Sequence, residues 1–393
     1  MKGLVSLVRM FISLFVARPG SGVIIVLGVA GLTAIVVSLF VMASSFEKAL
    51  MTTGKADRAL VLRAGSTSEI NGNVPLAQFP IVRELPQVRR AGDIGMASRE
   101  TYVTVKLPTH DGDGEGTLPL RGVTEDAFTV RPEVKIVSGT NFSPGKYELL
   151  VGVKAAQTFA DLAVGETIWV RGQRYLVSGH FTASASATET ELWMDERLLA
   201  QTLGRGSTFS SILVQLQGDE LFEQFQQKLA EDKRLTVAAY RESDFYSDLA
   251  EPTAGLIKGI GVLVGVIMAL GAIAAAMNSM QSALQSRTRE IATLRALGFG
   301  RPAVLAAVLI ECTLLSLVGA SLALAGVYLL LDGSTLSTVA AATSSGAQVA
   351  FQFSVTKDAA MFAGAIAVGL GILGGLIPGL GATRKSLPQA LRA

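Results

Sequence analysis

The chain has 393 residues, of which 50% are hydrophobic and 17% are charged, and its formal net charge is +2. Such a small charge gives no indication of nucleic-acid binding, and the single cysteine, Cys312, excludes a disulfide within the chain. Hydrophobic residues concentrate at the start and in the last third, whereas residues 45–252 have the composition of a soluble domain. The distribution predicts a protein that is embedded in membrane lipid and carries one large extramembrane domain.

The N-terminal region is predicted to contain an interfacial helix followed by a membrane span. Residues 1–19 combine apolar side chains with three basic residues and no acidic residue, which is typical of an amphipathic helix on the cytoplasmic leaflet. Residues 20–44 include an uncharged run of about 23 residues, long enough to cross roughly 30 Å of hydrocarbon. A cleaved signal peptide is the weaker alternative, because its apolar region would be shorter.

Residues 45–252 are predicted to form a mixed α+β domain. Polar and apolar residues alternate at Thr101–Lys106, as in a half-buried strand. Residues 221–231 have apolar positions at helical spacing. The segments 45–56 and 241–251 are expected to be helices that continue the first and second spans. A domain of about 200 residues can bury a core of its own.

Residues 253–393 contain the other predicted spans. The predicted order is a second span at 255–277, a connector helix at 280–298, a third span at 303–331, an outer loop at 332–358, a fourth span at 359–380 and a tail at 381–393. Basic residues cluster in the N-terminal region, the connector and the tail. The positive-inside rule therefore places both termini and the connector in the cytoplasm, with the large domain and the outer loop on the other side.

Two features within the predicted spans indicate helix packing. Gly255, Gly259, Gly261 and Gly265 form two pairs of small residues four positions apart, which allow the close approach of a second helix. Glu311 is the acidic residue of the third span, and a carboxylate in a span usually has a partner or a role. We favour an ion pair with the connector, or a hydrogen-bonded packing site, over transport chemistry.

The connector at 280–298 is predicted to be an amphipathic helix. Leu284, Ile291 and Leu294 fall on one side at about 100° per residue, and Gly298 ends the helix. Most of the charged residues fall elsewhere on the helix: Arg287, Arg289, Glu290 and Arg295. Charge alone predicts only a cytoplasmic connector that follows the positive-inside rule.

The motif R-x-R-E-I-A-x-L-R-A-L-G at residues 287–298 resembles the signature of the FtsX-like, MacB-type permeases of ABC transporters, the type VII transporters. The pattern L-x-P…P-x-A-L-R over residues 376–392 is similar to the ending of that family. The resemblance implies an α-helical protein of the bacterial inner membrane with four transmembrane helices. It also implies an extracytoplasmic α+β domain, a MacB-like periplasmic core, inserted between the first and second spans.

In that family the connector is a coupling helix that docks on the ATPase. The resemblance assigns this role to Arg287, Arg289, Glu290, Leu294 and Arg295. Guanidinium groups suit such a surface because their planar forks pair with carboxylates of a partner. The sequence contains no G-x-x-x-x-G-K-[ST] motif, so we expect this chain not to be an enzyme. ATP and Mg²⁺ are expected to bind a separate ATPase subunit, with no cofactor, metal or catalytic residue in this chain.

The resemblance further implies a complex with two copies of a cytoplasmic ATPase and with a second permease copy or a paralogue. The complex would couple ATP hydrolysis to movements of the outer domain, a mechanism called mechanotransmission. These movements would export or extract a hydrophobic or amphiphilic substrate, such as a peptide, an antibiotic or a lipoprotein. The sequence leaves open whether a periplasmic adaptor and an outer-membrane channel join the complex.

Two other classes of function remain as alternatives. An ATPase-coupled signalling protein would use its outer domain to regulate a periplasmic partner such as a cell-wall hydrolase. A secondary transporter is disfavoured, because Glu311 is the lone acidic residue of the predicted spans and the sequence lacks repeated halves.

Two short segments carry weaker signals. Residues 110–122 begin like a calcium-binding loop, but Gly122 occupies the position that requires a bidentate glutamate, so a flexible hairpin tip is favoured. Hydroxyl residues alternate from Ser184 to Thr190, and a solvated loop is favoured over a mobile loop that faces a partner or ligand.

Overall fold

The computed structural model describes residues 20–110, 114–286, 288–296, 299–339 and 348–384. These residues divide into two units. The described residues of Ser44–Gly255 and Gly333–Phe353 form the first, which we call the sheet unit. The described residues of Met1–Ala43, Leu256–Asp332 and Ser354–Ala393 form the second, the helical unit.

The described ranges contain ten α-helices: α1 (Gly20–Thr53), α2 (Phe79–Arg83), α3 (Asp126–Val130), α4 (Val153–Thr158), α5 (Glu196–Thr202), α6 (Phe222–Glu231), α7 (Glu242–Ser286), α8 (Thr288–Ala296), α9 (Arg301–Leu331) and α10 (Lys357–Arg384). Four of them, α1, α7, α9 and α10, are long and apolar enough to cross a membrane. This agrees with the four predicted spans. The predicted interfacial helix at 1–19 lies outside the described residues, as does the tail beyond Arg384.

The helix α7 is continuous over 45 residues. A separate connector helix was predicted to start at 280, but α7 continues to Ser286 and α8 begins at Thr288. The reason is local, because neither glycine nor proline interrupts residues 272–286 and the helix has no signal to end there. At 1.5 Å per residue, α7 is about 68 Å long, more than twice the roughly 30 Å of hydrocarbon.

The described ranges contain sixteen strands: β1 (Arg58–Arg63), β2 (Val74–Pro75), β3 (Arg90–Ala91), β4 (Ile94–Gly95), β5 (Ala97–Pro108), β6 (Glu115–Val123), β7 (Lys135–Gly139), β8 (Glu148–Gly152), β9 (Thr167–Val170), β10 (Gln173–Thr182), β11 (Leu192–Asp195), β12 (Thr208–Phe209), β13 (Ser211–Gln215), β14 (Val237–Arg241), β15 (Thr335–Val339) and β16 (Gln348–Gln352). The last two form a hairpin within the predicted outer loop at 332–358 and belong to the sheet unit.

A ten-stranded mixed sheet forms the centre of the sheet unit, in the order β14-β1-β13-β5-β6-β11-β8-β10-β7, with β9 beside β10. The pairs β6–β11 and β8–β10 are parallel, and the other neighbours are antiparallel. The longest strand, β5, contains the predicted strand Thr101–Lys106. The mixed α+β class predicted for this part of the chain is thus correct.

Four apolar clusters contain residues of this sheet, and two of them are the largest. One includes Leu118, Leu192 and Tyr175 and lies along the half of the sheet that contains β6, β8, β10 and β11. The other joins β1 and β13 to α6, the helix predicted at 221–231, through Phe225 and Leu229. Burying a side chain of this size contributes about 1.5–3 kcal/mol, so the clusters position the polar groups described below.

Candidate functional site

The connector packs its apolar side onto the helices that flank it. Ile291 of α8 is buried against Met280 and Leu284 at the end of α7, and against Val304 and Val308 of α9. Thr293 and Ala296 of α8 are exposed, and Arg295 is half-buried. The helix is therefore amphipathic, with one side turned towards its own unit.

The structure describes some of the predicted coupling residues only in part. Arg287 lies outside the described residues, together with Gly298. The backbone of Arg289, Glu290 and Leu294 lies in α8, but only the backbone of these three is described. Their role in docking stays a prediction.

Glu311 lies in α9, ten residues after the first residue of that helix, or about 15 Å along its axis. Its side chain is buried beside Cys312, a member of the same apolar cluster as Ile291. This placement agrees with a packing position, and the predicted ion pair with the connector stays a prediction.

The predicted glycine face of α7 divides into two parts. A Cβ atom at Gly265 would lie 3.1 Å from Val36 Cγ2, and one at Gly261 would lie 3.5 Å from Leu39 Cβ, so these glycines face α1. At Gly255 and Gly259 an added Cβ would meet nothing within 4 Å in the described residues.

Closer approaches occur between α9 and α10. A Cβ at Gly371 would lie 2.5 Å from the Cα of Thr313, and one at Gly375 would lie 3.0 Å from Cys312 Sγ. Gly379, four residues further on, faces Leu305. This stripe is not among the predicted packing sites, although glycines at 371, 375 and 379 give a repeated small-residue spacing of four that could have indicated it.

One guanidinium group in the sheet unit joins the end of α1 to the start of α7. The Nε atom of Arg58 donates to Glu242 Oε2 at 2.6 Å, and its Nη2 atom donates to the carbonyl oxygen of Thr53 at 3.3 Å. Its Nη1 atom donates to Glu133 Oε1 at 2.8 Å and to the carbonyl oxygen of Val130 at 3.2 Å. We call this group of contacts the Arg58 junction.

The Arg58 junction is almost completely dehydrated. The side chains of Arg58 and Glu242 are each 1% exposed. Glu242 Oε2 also accepts a hydrogen bond from the backbone N–H of Lys55, so the segment after α1 is fixed to the first residue of α7 twice. Removing one partner of a buried pair leaves the other charge uncompensated, at a cost of about 3–5 kcal/mol.

A second buried network lies further along the sheet. Arg121 of β6 donates to Glu69 Oε1 at 2.8 Å and to Glu100 Oε2 at 2.7 Å, while its Nε and Nη2 atoms bind Glu191 at 2.8 Å each. Arg131 binds both oxygens of Glu100. Three carboxylates thus share two guanidinium groups, and the network connects β5 and β6 to the segments that precede β2 and β11.

Aromatic and hydroxyl groups complete the network. The Trp193 indole N–H donates to Glu191 at 2.7 Å, and the Ser211 hydroxyl donates to Glu69 at 2.8 Å. The Arg121 guanidinium lies 4.5 Å from the centre of the Tyr102 ring, within range of a cation–π interaction.

The pKa shifts of Glu100 and Arg121 keep these two groups charged near neutral pH. Burial raises the pKa of Glu100, but the guanidinium groups of Arg131 and Arg121 outweigh burial and lower it from 4.5 to about 2. Burial lowers the pKa of Arg121, but the three carboxylates outweigh burial and raise it well above its usual value. Burial raises the pKa of Tyr102 above its usual value, so its phenol stays protonated. Groups that do not change protonation near pH 7 suit a structural role better than acid–base chemistry.

Two family models match the chain. The model of the MacB-like periplasmic core domain matches residues 23–232, just over half of the chain, and that of the FtsX-like permease C-terminal region matches residues 262–387. The chain belongs to the family of MacB-like, FtsX-type permeases. The resemblance drawn from residues 287–298 is thereby confirmed.

Among curated relatives of this permease, the uncharacterized ABC transporter permease YknZ of Bacillus subtilis (strain 168) is 24% identical over 235 residues. The match covers 56% of this chain, and the chain spans 58% of the relative's length.

Two solved structures also resemble the permease. The periplasmic region of MacB from Actinobacillus actinomycetemcomitans has a TM-score of 0.37 and 12% identity, over 50% of this chain and 94% of that one. The extracellular domain of the noncanonic ABC-type transporter YknZ from Gram-positive bacteria has a TM-score of 0.35 and 13% identity, over 47% and 99%.

The calcium-like segment and the hydroxyl-rich loop are the two segments of the permease with weaker sequence signals. Residues 111–113 of the calcium-like segment lie outside the described residues, and His110 Nε2 lies 3.2 Å from the carbonyl oxygen of Ala156. The prediction that the loop from Ser184 is solvated is wrong for most of this segment. Three of its four hydroxyl residues are buried: Ser186, Thr188 and Thr190.

A buried ion pair explains why that loop is ordered against the sheet. Glu189 Oε1 accepts hydrogen bonds from the Thr182 hydroxyl and from the amides of Ala183 and Ala185. Lys154 Nζ lies 3.4 Å from Glu189 Oε2 and donates to the carbonyl oxygen of Ala185 at 2.6 Å. Burial raises the pKa of Glu189, but these hydrogen bonds outweigh it and lower the pKa.

Proposed function

We propose that this permease is the transmembrane subunit of an ABC transporter, and that it couples ATP hydrolysis in a separate ATPase to movements of the sheet unit. The single observation that carries the mechanism is the Arg58 junction. One buried side chain contacts the last residue of α1, the first residue of α7 and the segment after α3, within the sheet unit.

The connector is the cytoplasmic end of the proposed route of force transmission, and the Arg58 junction is the other end. Ile291 fixes α8 to the last turns of α7, so a force on α8 would act directly on α7. The helix α7 continues from Ser286 back to Glu242 and can carry that force over about 68 Å, with Pro252 removing one backbone hydrogen bond near its Glu242 end. Arg58 would then pass it to α1 and to Glu133.

Family membership and the charge pattern support a proposed cellular setting. We propose that the termini and α8 lie in the cytoplasm of a bacterial cell, that the sheet unit lies outside the inner membrane, and that two permease chains work with two ATPase subunits, which bind ATP and Mg²⁺. The substrate would be a hydrophobic or amphiphilic molecule, such as a peptide, an antibiotic or a lipoprotein, with or without an adaptor and an outer-membrane channel. Signalling to a periplasmic hydrolase is the alternative outcome of the same coupling.

The first experiment tests docking. Tagged full-length chain is purified gently from native membranes, and co-purifying ABC ATPases are identified by mass spectrometry. The Arg289→Glu, Arg295→Glu double variant is expected to lose the ATPase. The matched control reverses two exposed arginines of the sheet unit, Arg171→Glu and Arg174→Glu, and is expected to keep it. An ATPase that stays on the α8 variant, or that never appears, contradicts the assignment of the connector.

The second experiment tests transmission through the junction. Hydrogen exchange of the sheet unit is measured in the permease–ATPase complex with and without a non-hydrolysable ATP analogue. We expect exchange near α3 and β7 to respond to nucleotide in the wild type and not in Arg58→Gln, while the ATPase stays bound to both. A preserved response in Arg58→Gln would show that the force takes another route.

A further inference from the structure

Two adjoining cavities open into the sheet unit on the side of α5. Their volumes are about 380 and 270 Å³, and they share Arg99, Glu196 and Arg197 in their walls. The smaller one, which we call the arginine cavity, also has Arg205 in its wall and an apolar part formed by Leu76 and Phe209. It thus combines three guanidinium groups with one carboxylate.

The carboxylate of the arginine cavity, Glu196, already accepts hydrogen bonds from other side chains of the sheet unit. Glu196 Oε2 accepts a hydrogen bond from Arg99 Nε at 2.7 Å, and Glu196 Oε1 accepts one from the Thr101 hydroxyl at 3.3 Å. The larger cavity is also lined by Glu125, Asp126 and Asp195, of which Asp126 pairs with Arg83 at 3.3 Å. Asp195 uses its two oxygens for the backbone N–H groups of Gly145 and Arg197. Glu196 and Asp195 are therefore not left to neutralise a further guanidinium.

Two arginines of this cavity therefore lack a counter-ion. Neither Arg197 nor Arg205 makes an ion pair within the described part of the chain, although both line the cavity. The Nη1 atom of Arg205 is buried and has no hydrogen-bond partner among the described residues. A buried donor without a partner is unfavourable, most of all when it is charged, so the site is favourable for an anion that reaches Arg205.

We propose that the arginine cavity binds a carboxylate side chain of an acidic, partly apolar peptide segment supplied by a partner protein. A guanidinium fork matches a carboxylate geometrically, and two such forks meet in this wall. The volume of about 270 Å³ fits one or two amino-acid side chains, and Leu76 and Phe209 offer contact to an apolar neighbour of the acidic residue. This binding is separate from the coupling route and needs no ATPase.

The test uses the full-length chain in detergent and a fluorescein-labelled peptide of alternating leucine and glutamate residues. Binding is followed by fluorescence anisotropy. Arg205→Gln and Arg197→Gln are each expected to weaken binding about tenfold, because a hydrogen bond to a charged group contributes about 1.5 kcal/mol or more. The matched control is Arg89→Gln, which removes an exposed arginine that lines neither cavity and should bind the peptide as the wild type does.

Three comparisons decide the outcome. The same peptide with glutamine in place of glutamate should not bind, and inorganic phosphate at the peptide's concentration should not displace the acidic peptide. Equal binding of both peptides, equal weakening in Arg89→Gln, or displacement by phosphate would overturn the proposal. Arg197 is exposed, so Arg197→Gln keeps the test valid even where Arg205→Gln alters folding, and wild-type affinity in Arg197→Gln also overturns it.

Discussion

Each of the two units of this permease is stabilised internally, and the contacts that stabilise them differ in kind. The sheet unit buries charge: Arg58 and Arg121 are each about 1% exposed, and each contacts more than one carboxylate. The helical unit instead brings backbones together at glycines, as where Gly371 faces the Cα of Thr313 and Gly319 faces the carbonyl oxygen of Val26.

The difference follows from the two solvents. In water, burial of apolar surface drives the sheet unit to fold, and its large clusters can offset the desolvation of several ions. In lipid, an apolar side chain gains little by leaving its surroundings, so helices associate through close van der Waals contact. Changes to charge should therefore damage the sheet unit most, and changes of one methyl group should damage the helical unit most.

The largest effect is expected from Arg121→Met. It leaves Glu69, Glu100 and Glu191 buried with Arg131 as the remaining guanidinium of the network, and we expect a loss of about 3–5 kcal/mol in the free energy of unfolding. Denaturant titration can be followed by the fluorescence of Trp193, which is buried and bonded to Glu191.

The control for this variant is Arg234→Met, which removes an exposed arginine that pairs with Asp232. It is expected to leave stability unchanged, because exposed ion pairs contribute little. If Arg121→Met is as stable as Arg234→Met, methionine packing replaces the buried charges without cost, and the contrast between the two units loses its basis.

Acid should lower the free energy of unfolding of the sheet unit, because protonation of Glu100 also removes a charge from the buried network. The pKa of Glu100 is lowered to about 2 in the folded chain and rises to about 4.5 on unfolding, so its stabilisation is present above pH 4.5 and is lost as the pH falls towards 2. A shift of this size corresponds to roughly 3 kcal/mol. Trp193 fluorescence across this pH range measures the loss.

A matched carboxylate variant separates this effect from general protonation. Glu100→Gln should show a weaker dependence of its unfolding free energy on pH. Glu231→Gln should change that dependence much less, because solvent screens the exposed pair with Lys228 that lowers the pKa of Glu231. Identical pH profiles for the wild type and Glu100→Gln would mean that other groups control acid unfolding.

The sequence predicts the elements of this molecule better than its polar contacts. Spans, strands and α6 follow from hydrophobic periodicity, which is local. The Arg58–Glu242 contact joins residues 184 positions apart, and no spacing rule could reveal it. Arg121 had a signal, because a charged residue within the apolar run Leu118–Val123 needs partners. The identity of these partners, Glu69, Glu100 and Glu191, depends on the order of the strands.

In the helical unit, a smaller effect is expected from Gly371→Ala. Its new Cβ would lie 2.5 Å from the Thr313 Cα, so α9 and α10 must separate, at a cost of about 1–3 kcal/mol. Gly369→Ala, two residues away, meets nothing within 4 Å in the described residues and should be neutral or slightly more stable. Maleimide labelling of the buried Cys312 thiol, the single cysteine of the chain, should accelerate in the first variant alone. Equal labelling rates would contradict the close contact.

The smallest effect concerns the predicted glycine face of α7. Gly265→Ala and Gly259→Ala gain the same helix propensity, but only the first adds a methyl group against Val36. We therefore expect Gly265→Ala to be less stable than Gly259→Ala by up to about 1 kcal/mol in thermal melts of the full chain in detergent. The reverse order would be the more informative result. It would mean that a neighbour beyond the described residues covers Gly259, and that α7 packs by close contact there as well as against α1.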